Sequence, residues 1–472
     1  MKTEKKTWKK PLLSEHGGGF VNKFGAIRSA NFIDMVDGVP IADLVDQYGS
    51  PLFVLSERRL RENFRRHHRA FSTRYPKVVH AWSYKTNYLG AVCNILHQEG
   101  AWAEVVSDFE YEKARELGVP GKYILFNGPH KNRAILTRAV KEGAHIHLDH
   151  LDEIFMLEDI AKTLGKKVPV TLRLHFNTGF TEPWSRFGFH LESGEAMEAA
   201  RHIAKTGRLQ LTGLHSHIGT FILDPRAYAA QVRLLCQFMD EVEAERPLRG
   251  EMKTTIESID IGGGFASLNT LQGSYLPAEQ ISPNVEQYAE AICTALMEAT
   301  QKRKAQGRER PTLFIETGRA LVDDTELLVT SVVGNKRLPD GRRAVILDAG
   351  VNLLFTSFWY NHAIRPTRPL DGIPEETILY GPMCMNIDVM RWSIKLPPVG
   401  VGERLIFWPV GAYNNTQWMQ FIEYRPNIVM VGEDGSHGVI RAAENLEYMT
   451  CLEAMPERLQ DPFRKRSPKK KA

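Results

Sequence analysis

Between residues 78 and 318 the chain repeats one rhythm. A short β-rich run is followed by a longer amphipathic stretch, eight times over. The runs are VVHAWSYK (78–85), WAEVVS (102–107), YILFNGP (123–129), HIHLDH (145–150), VPVTLRLHF (168–176), LTGLHSHIG (211–219), SIDIGGG (258–264) and TLFIETG (312–318). Between them lie helical patterns such as LGAVCNILHQEG (89–100), FEYEKARELG (109–118) and ESGEAMEAARHIAKTG (192–207). Eight β runs separated by helices predict an α/β fold, a (β/α)8 TIM barrel of parallel strands. The period alone does not show closure, so a doubly wound open sheet stays open as a second arrangement.

After Arg319 the rhythm changes. LLVTSVVG (327–334), AVILDAG (344–350), TILYGP (377–382) and RLIFWPVGAY (404–413) follow with few helical patterns between them. They predict a second, mostly antiparallel, β-barrel-like domain. The expected division is an N-terminal segment over 1–47 joining the β domain, a barrel over 48–320, the β domain over 321–455 and a basic, disordered tail over 456–472. The first ten residues hold five Lys and one Glu, and Arg464 to Lys471 holds six basic residues and no acid. Solvated termini explain such ends, and the mildly acidic body carries no nucleic-acid stripe. No apolar run reaches the roughly 18 residues of a membrane helix, and no apolar stretch follows the basic start as in a secretory signal. The five scattered cysteines form no metal-ligand spacing and fit a reducing cytoplasm.

The residues that can carry chemistry gather at the C-terminal ends of the barrel runs, where barrel enzymes keep their sites. Lys85 ends the first; a desolvated lysine can form a Schiff base, and a strand-end lysine can also simply reach solvent. His215 and His217 end the sixth. They can form a metal pair, lie against a planar cofactor, or be satisfied by hydrogen bonds. Gly262, Gly263 and Gly264 end the seventh, as a phosphate cradle or a tight turn. Glu316 and Arg319 end the eighth: an acid for a ring N–H and a guanidinium for phosphate, or a mutual ion pair. The β domain adds YGPMCMNID (380–388), with Cys384, and PVGAYNN (409–415).

In this order, from YGSPLFVLS (48–56) to FIEYRPNIVMV (421–431), the chain resembles the pyridoxal-phosphate-dependent decarboxylases of the alanine-racemase fold, the diaminopimelate and ornithine decarboxylase group. The resemblance implies pyridoxal 5'-phosphate as cofactor and decarboxylation of an amino acid. Lys85 matches the Schiff-base lysine and His217 the histidine against the pyridine ring. Thr220, Gly262, Gly263, Gly264, Arg319 and Tyr413 match the phosphate-binding positions. Glu316 matches the acid on the pyridine nitrogen, and Glu104 an acid near the cofactor. SRFGF (185–189) is similar to the family's SKFGF. Cys384 matches a catalytic cysteine given across a dimer interface, so a homodimer with shared sites is expected. Cys384 or Lys85 would return the proton to Cα.

The departures fall on substrate recognition. Where diaminopimelate decarboxylases carry an acid after the cysteine, this chain has Met385. Where they carry an arginine four residues before a tyrosine, it has Thr356, with Tyr360 kept. Where ornithine decarboxylases place an acid after that tyrosine, it has Asn361. Met385 accepts no charge-assisted hydrogen bond and Asn361 a weaker one. The expected substrate is therefore a modified, acylated or carrier-bound amino acid rather than meso-diaminopimelate, with Trp82, Trp184, Trp359 and Trp392 as walls of an altered pocket. Diaminopimelate decarboxylation itself, a pyridoxal-dependent racemase or epimerase, a metal-dependent barrel hydrolase built on His215 and His217, and a non-catalytic relative are the competing readings.

Overall fold

The computed structural model describes residues 32–245, 253–274 and 276–460. The basic runs at the two chain ends lie outside them. All eight β runs become parallel barrel strands: β1 (Val78–Ser83), β2 (Trp102–Val105), β3 (Ile124–Phe126), β4 (His145–Leu148), β5 (Val168–His175), β6 (Leu209–His215), β7 (Ser258–Asp260) and β8 (Thr312–Ile315). Each pairs with the next, and β8 returns to β1. The ring is closed, so the open doubly wound sheet is excluded. Phe189–His190 extends the end of β5.

Local chemistry sets the helices. Ser56 accepts the N–H of Arg59 and caps Glu57–Ser72, whose buried Leu60, Phe64, His67 and Phe71 form one stripe against the barrel. Asp224 caps Pro225–Ala244, with proline at its first position. Asn284 and Gln287 form a reciprocal capping box on Val285–Ala299. Burying each Leu or Phe of such a stripe stabilises the fold by roughly 1.5–3 kcal/mol.

The second sheet has nine strands and is mostly antiparallel. The segment Leu52–Ser56 lies here, not at the head of the barrel as expected. It runs antiparallel to Glu326–Arg337 and parallel to Ile428–Val431. Its five residues are all buried, and they touch three cores. Leu55 packs in the barrel core, Phe53 within the second sheet's core, and Leu52 and Val54 against the helix Ile41–Tyr48. That helix, preceded by the hairpin of Met35–Val36 and Val39–Pro40, covers the outer face of the sheet.

Candidate active site

The strand ends bring the expected residues into one mouth. β1 stops at Ser83, and a single 3-10 turn over Tyr84–Thr86 presents Lys85. The Lys85 ammonium lies 2.7 Å from Oε2 of Glu104, the third residue of β2. Ser83 Oγ donates to the same oxygen. Asn127, just past β3, donates its amide to Oε1 of Glu104 at 3.3 Å and also to Oε1 of Glu316. One amide thus bridges two buried carboxylates from β2 and β8. Burial pushes an ammonium's pKa down, but Glu104, Glu316 and the Tyr413 hydroxyl outweigh it, so Lys85 is held above the ordinary lysine range.

The two histidines of LHSHIG part company. His215 is buried, with Nε2 3.6 Å from Glu316 Oε2. His217, beyond the strand, accepts the N–H of Gly263 on Nδ1 at 3.2 Å, which leaves its Nε2 to carry the proton. Burial, reinforced by Arg173, pushes His217 down to about 3, so its ring is neutral. Trp184 lies beside that ring, centroids 5.5 Å apart. The HxH pair is therefore not a metal pair: its members face different partners.

The glycine run supplies room more than donors. Gly262 gives its N–H to Asp260 Oδ1 at 2.9 Å and Gly263 gives its own to His217. A Cβ at Gly262 would stand 2.6 Å from His217 Nδ1, and Cβ atoms at Gly263 and Gly264 would strike the carbonyls of Glu316 and Gly219. Gly262 (φ 64°) and Gly264 (φ 92°) sit in the left-handed region.

Arg319 does not pair with Glu316. Its guanidinium lies over three rings, 4.7 Å from Tyr413, 5.1 Å from Tyr360 and 5.6 Å from Phe221, and its buried Nη1 has no hydrogen-bond partner. Two of these rings hang from backbones with positive φ, Phe221 at 55° and Tyr413 at 66°. Such strain costs about 1–3 kcal/mol each and collects at functional sites. Tyr413 is fixed by its N–H to the Thr86 carbonyl at 2.8 Å, and Thr416 Oγ1 donates to the Lys85 carbonyl at 2.8 Å. Asn87 donates to the Gly411 carbonyl at 3.1 Å. The second domain thus clasps the turn that carries Lys85. In SRFGF, Phe187 lies under the Arg173 guanidinium at 4.5 Å, and a Cβ at Gly188 would stand 2.8 Å from the Arg173 carbonyl.

The remaining candidate residues have surroundings of their own. Thr356 is buried and engaged, with His362 Nε2 at 2.9 Å and Asn414 Oδ1 at 2.8 Å. Asn361 is half-buried, and its backbone N–H donates to the Thr270 carbonyl. Met385 packs against the core of the second sheet, and the next-door Cys384 is an exposed free thiol. Trp82 is fully buried core, whereas Trp359 and Trp392 are exposed, so these three do not wall a common pocket. Thr220 is exposed beside the mouth. The residues missed in the sequence are Asn127, His147 and Asp260. Asn127 closes one β run and Asp260 and His147 lie within others, but only the closed ring brings them to Glu316 and His215.

The mouth fits a phosphorylated aromatic aldehyde on its own terms. It offers a lysine beside a carboxylate, a neutral imidazole locked edge-on by a backbone N–H, a turn that excludes side chains, and a buried guanidinium with a free N–H. The family profile of the pyridoxal-dependent decarboxylases, pyridoxal binding domain, matches residues 61–323. The diaminopimelate decarboxylase of Methanothermobacter thermautotrophicus is 30% identical over 90% of this chain and 96% of its own length. That of Bacillus subtilis is 27% identical over 90% and 95%. The crystal structure of diaminopimelate decarboxylase from Methanocaldococcus jannaschii in complex with L-lysine superposes with a TM-score of 0.79 at 26% identity, over 90% of this chain and 96% of that one. The chain belongs to the pyridoxal-dependent decarboxylases. It is a carboxy-lyase of the diaminopimelate decarboxylase type, and pyridoxal phosphate is its cofactor.

Proposed function

We propose that the enzyme removes the α-carboxylate of a diamino dicarboxylate of the diaminopimelate class as CO2, with Lys85 as the amine that anchors the cofactor. The observation that carries the reading is the Lys85 ammonium on Glu104, inside a carboxylate pair bridged by Asn127. The likeness to diaminopimelate decarboxylases along nine-tenths of the chain supports the substrate. Glu104 Oε2 is placed to take the proton that Lys85 must lose before its nitrogen can attack a carbonyl. Glu316, oriented by Asn127, would hold the ring N–H. His217 would lie against the ring face, as a neutral imidazole. Arg319, Thr220, Tyr413 and the Gly262–Gly264 turn would hold the phosphate. When bound, the cofactor supplies the electron sink for the pair left by departing CO2. Lys85, or Cys384 of a second copy, returns a proton to Cα. Phe358, Trp359, Ile387 and Trp392 are exposed in the same domain as Cys384 and fit a surface that a second copy covers.

A second reading rests on Thr356, Asn361 and Met385. None carries a charge for a distal carboxylate or ammonium, and Thr356 is already engaged by His362 and Asn414. It gives an acylated or carrier-bound amino acid as substrate. The test is CO2 release from meso-diaminopimelate by the cofactor-loaded enzyme, with the configuration of recovered substrate followed alongside. Release at an ordinary enzymatic rate supports the first reading. An intact chromophore with no CO2 moves the assignment to the second. Inversion without CO2 identifies a racemase or epimerase.

A further inference from the structure

His215 is the one histidine of the HxH motif that the proposed reaction leaves without a task. It lies with His147 from β4, Asp260 from β7 and Glu316 after β8, and one donor atom from each falls within 4.8 Å of all the others. All four residues are buried. We propose that the cofactor-free chain holds a divalent transition-metal cation of the zinc class between these four side chains, and that this cation and the pyridoxal cofactor exclude one another.

Unmet hydrogen bonding points to a ligand. Two of the atoms that face the cluster, His215 Nε2 and Asp260 Oδ2, have no hydrogen-bond partner although both are buried. Most buried polar atoms are paired, and each left bare costs about 1–3 kcal/mol. The spacing suits a small cation. Zinc bound at about 2.0–2.1 Å in a tetrahedron sets its donors roughly 3.3–3.4 Å apart. His215 Nε2 is 3.6 Å from Glu316 Oε2, and His147 Nε2 is 3.9 Å from Asp260 Oδ2. Those two pairs need only small inward shifts. The outer oxygens are already oriented: Asn127 holds Oε1 of Glu316 and the Gly262 N–H holds Oδ1 of Asp260, leaving Oε2 and Oδ2 toward the cluster.

Charge agrees with geometry. Burial pushes both histidines well below their ordinary pKa, so they offer lone pairs rather than protons. Burial and the nearby Glu316 push Asp260 well above the usual carboxyl range, because the two buried carboxyls resist ionising side by side without a cation. A dication would neutralise both carboxylates. The site therefore differs from the one the HxH motif implied, because His147 from across the barrel takes the place of His217.

The exclusion rests on the reading above that Glu316 faces the cofactor ring; the cation site does not. The test uses the full-length protein stripped of cofactor, with Zn2+ followed by equilibrium dialysis and Co2+ by absorption. The expected result is one Zn2+ per chain and a four-coordinate Co2+ spectrum without a thiolate charge-transfer band. His147→Asn and His215→Asn should each lose both. With Zn2+ at about ten times its dissociation constant, cofactor uptake should slow by about tenfold, since only the metal-free fraction competes, and a chelator should restore it. Uptake of cofactor by metal-free His147→Asn shows that this variant is folded. No bound Zn2+, equal binding by both variants, or a thiolate band from Cys384 or Cys451 would overturn the site. One bound Zn2+ with unchanged uptake would overturn the exclusion. A chain that binds Zn2+ but takes up no cofactor even when metal-free would instead sink the cofactor roles proposed above.

Discussion

His80, in β1, gives a prediction whose size follows from its surroundings. Its ring is 3% exposed, packed between Phe64, Phe71 and His68 at centroid distances of 5.6–5.7 Å. Neither nitrogen has a hydrogen-bond partner. Burial, then His67 and His68, push its pKa from 6.5 to about 3. In the folded chain the ring stays neutral until about pH 3, while in the unfolded chain it takes a proton as pH falls through 6.5. The stability owed to the neutral ring is thus fully present above the unfolded value and lost below it. At about pH 5 the loss is 1.5 pH units at roughly 1.36 kcal/mol each, or about 2 kcal/mol relative to about pH 8. His80→Phe keeps a ring of similar size and removes the titration. Urea unfolding of both proteins at the two pH values gives a double difference in which every other titrating group cancels. The wild type should lose about 2 kcal/mol more than the variant between about pH 8 and about pH 5. Parallel losses would mean that His80 is protonated in the folded barrel, and the packing argument would fail.

Lys85→Ala should abolish both CO2 release and the cofactor's lysine-bound absorption; turnover retained in that variant would remove Lys85 from its role. Gly263→Ala drives a methyl group into the Glu316 carbonyl and should cost about 1–3 kcal/mol in thermal or urea unfolding, along with cofactor affinity. Thr356→Val leaves His362 Nε2 and Asn414 Oδ1 without the hydroxyl and should cost about 1–3 kcal/mol of stability, with little change in the rate per folded molecule. Asn127→Leu strips the amide from Glu104 and Glu316, so cofactor affinity should fall by about tenfold to a hundredfold, read by titrating the chromophore.

Much of the barrel could be read from periodicity. Fully buried parallel strands are short, apolar and regularly spaced, and each of the eight runs became a strand. Lys85, His217, Glu316 and the glycines were legible because each stands at a strand end, where a polar or small residue interrupts an apolar run. Leu52–Ser56 fell inside the expected barrel span of 48–320 but pairs in the second sheet. A short, mostly apolar run reports burial on both faces but not which sheet buries it. Asn127 and His147 carried no signal, since their importance comes from other strands: Glu104 and Glu316 lie one and three strands from Asn127, and His215 and Glu316 two and four from His147. Thr356 and Met385 were located by register against a family pattern, which fixes a position along the chain and says nothing of where the side chain turns.

The strand Leu52–Ser56 takes one neighbour from Glu326–Arg337 and the other from Ile428–Val431. In folding terms this is a loop closure around the whole barrel. Contacts between such distant segments are slow to form, and a growing chain offers them last. Until Ile428–Val431 has been made, a strand destined for full burial waits with one edge open. The segment that clasps the Lys85 turn, Gly411 to Thr416, also comes late. Synthesis thus yields a barrel first and a competent enzyme only at the end, and a chain broken after the barrel would lose both neighbours of that strand and the grip on its lysine together.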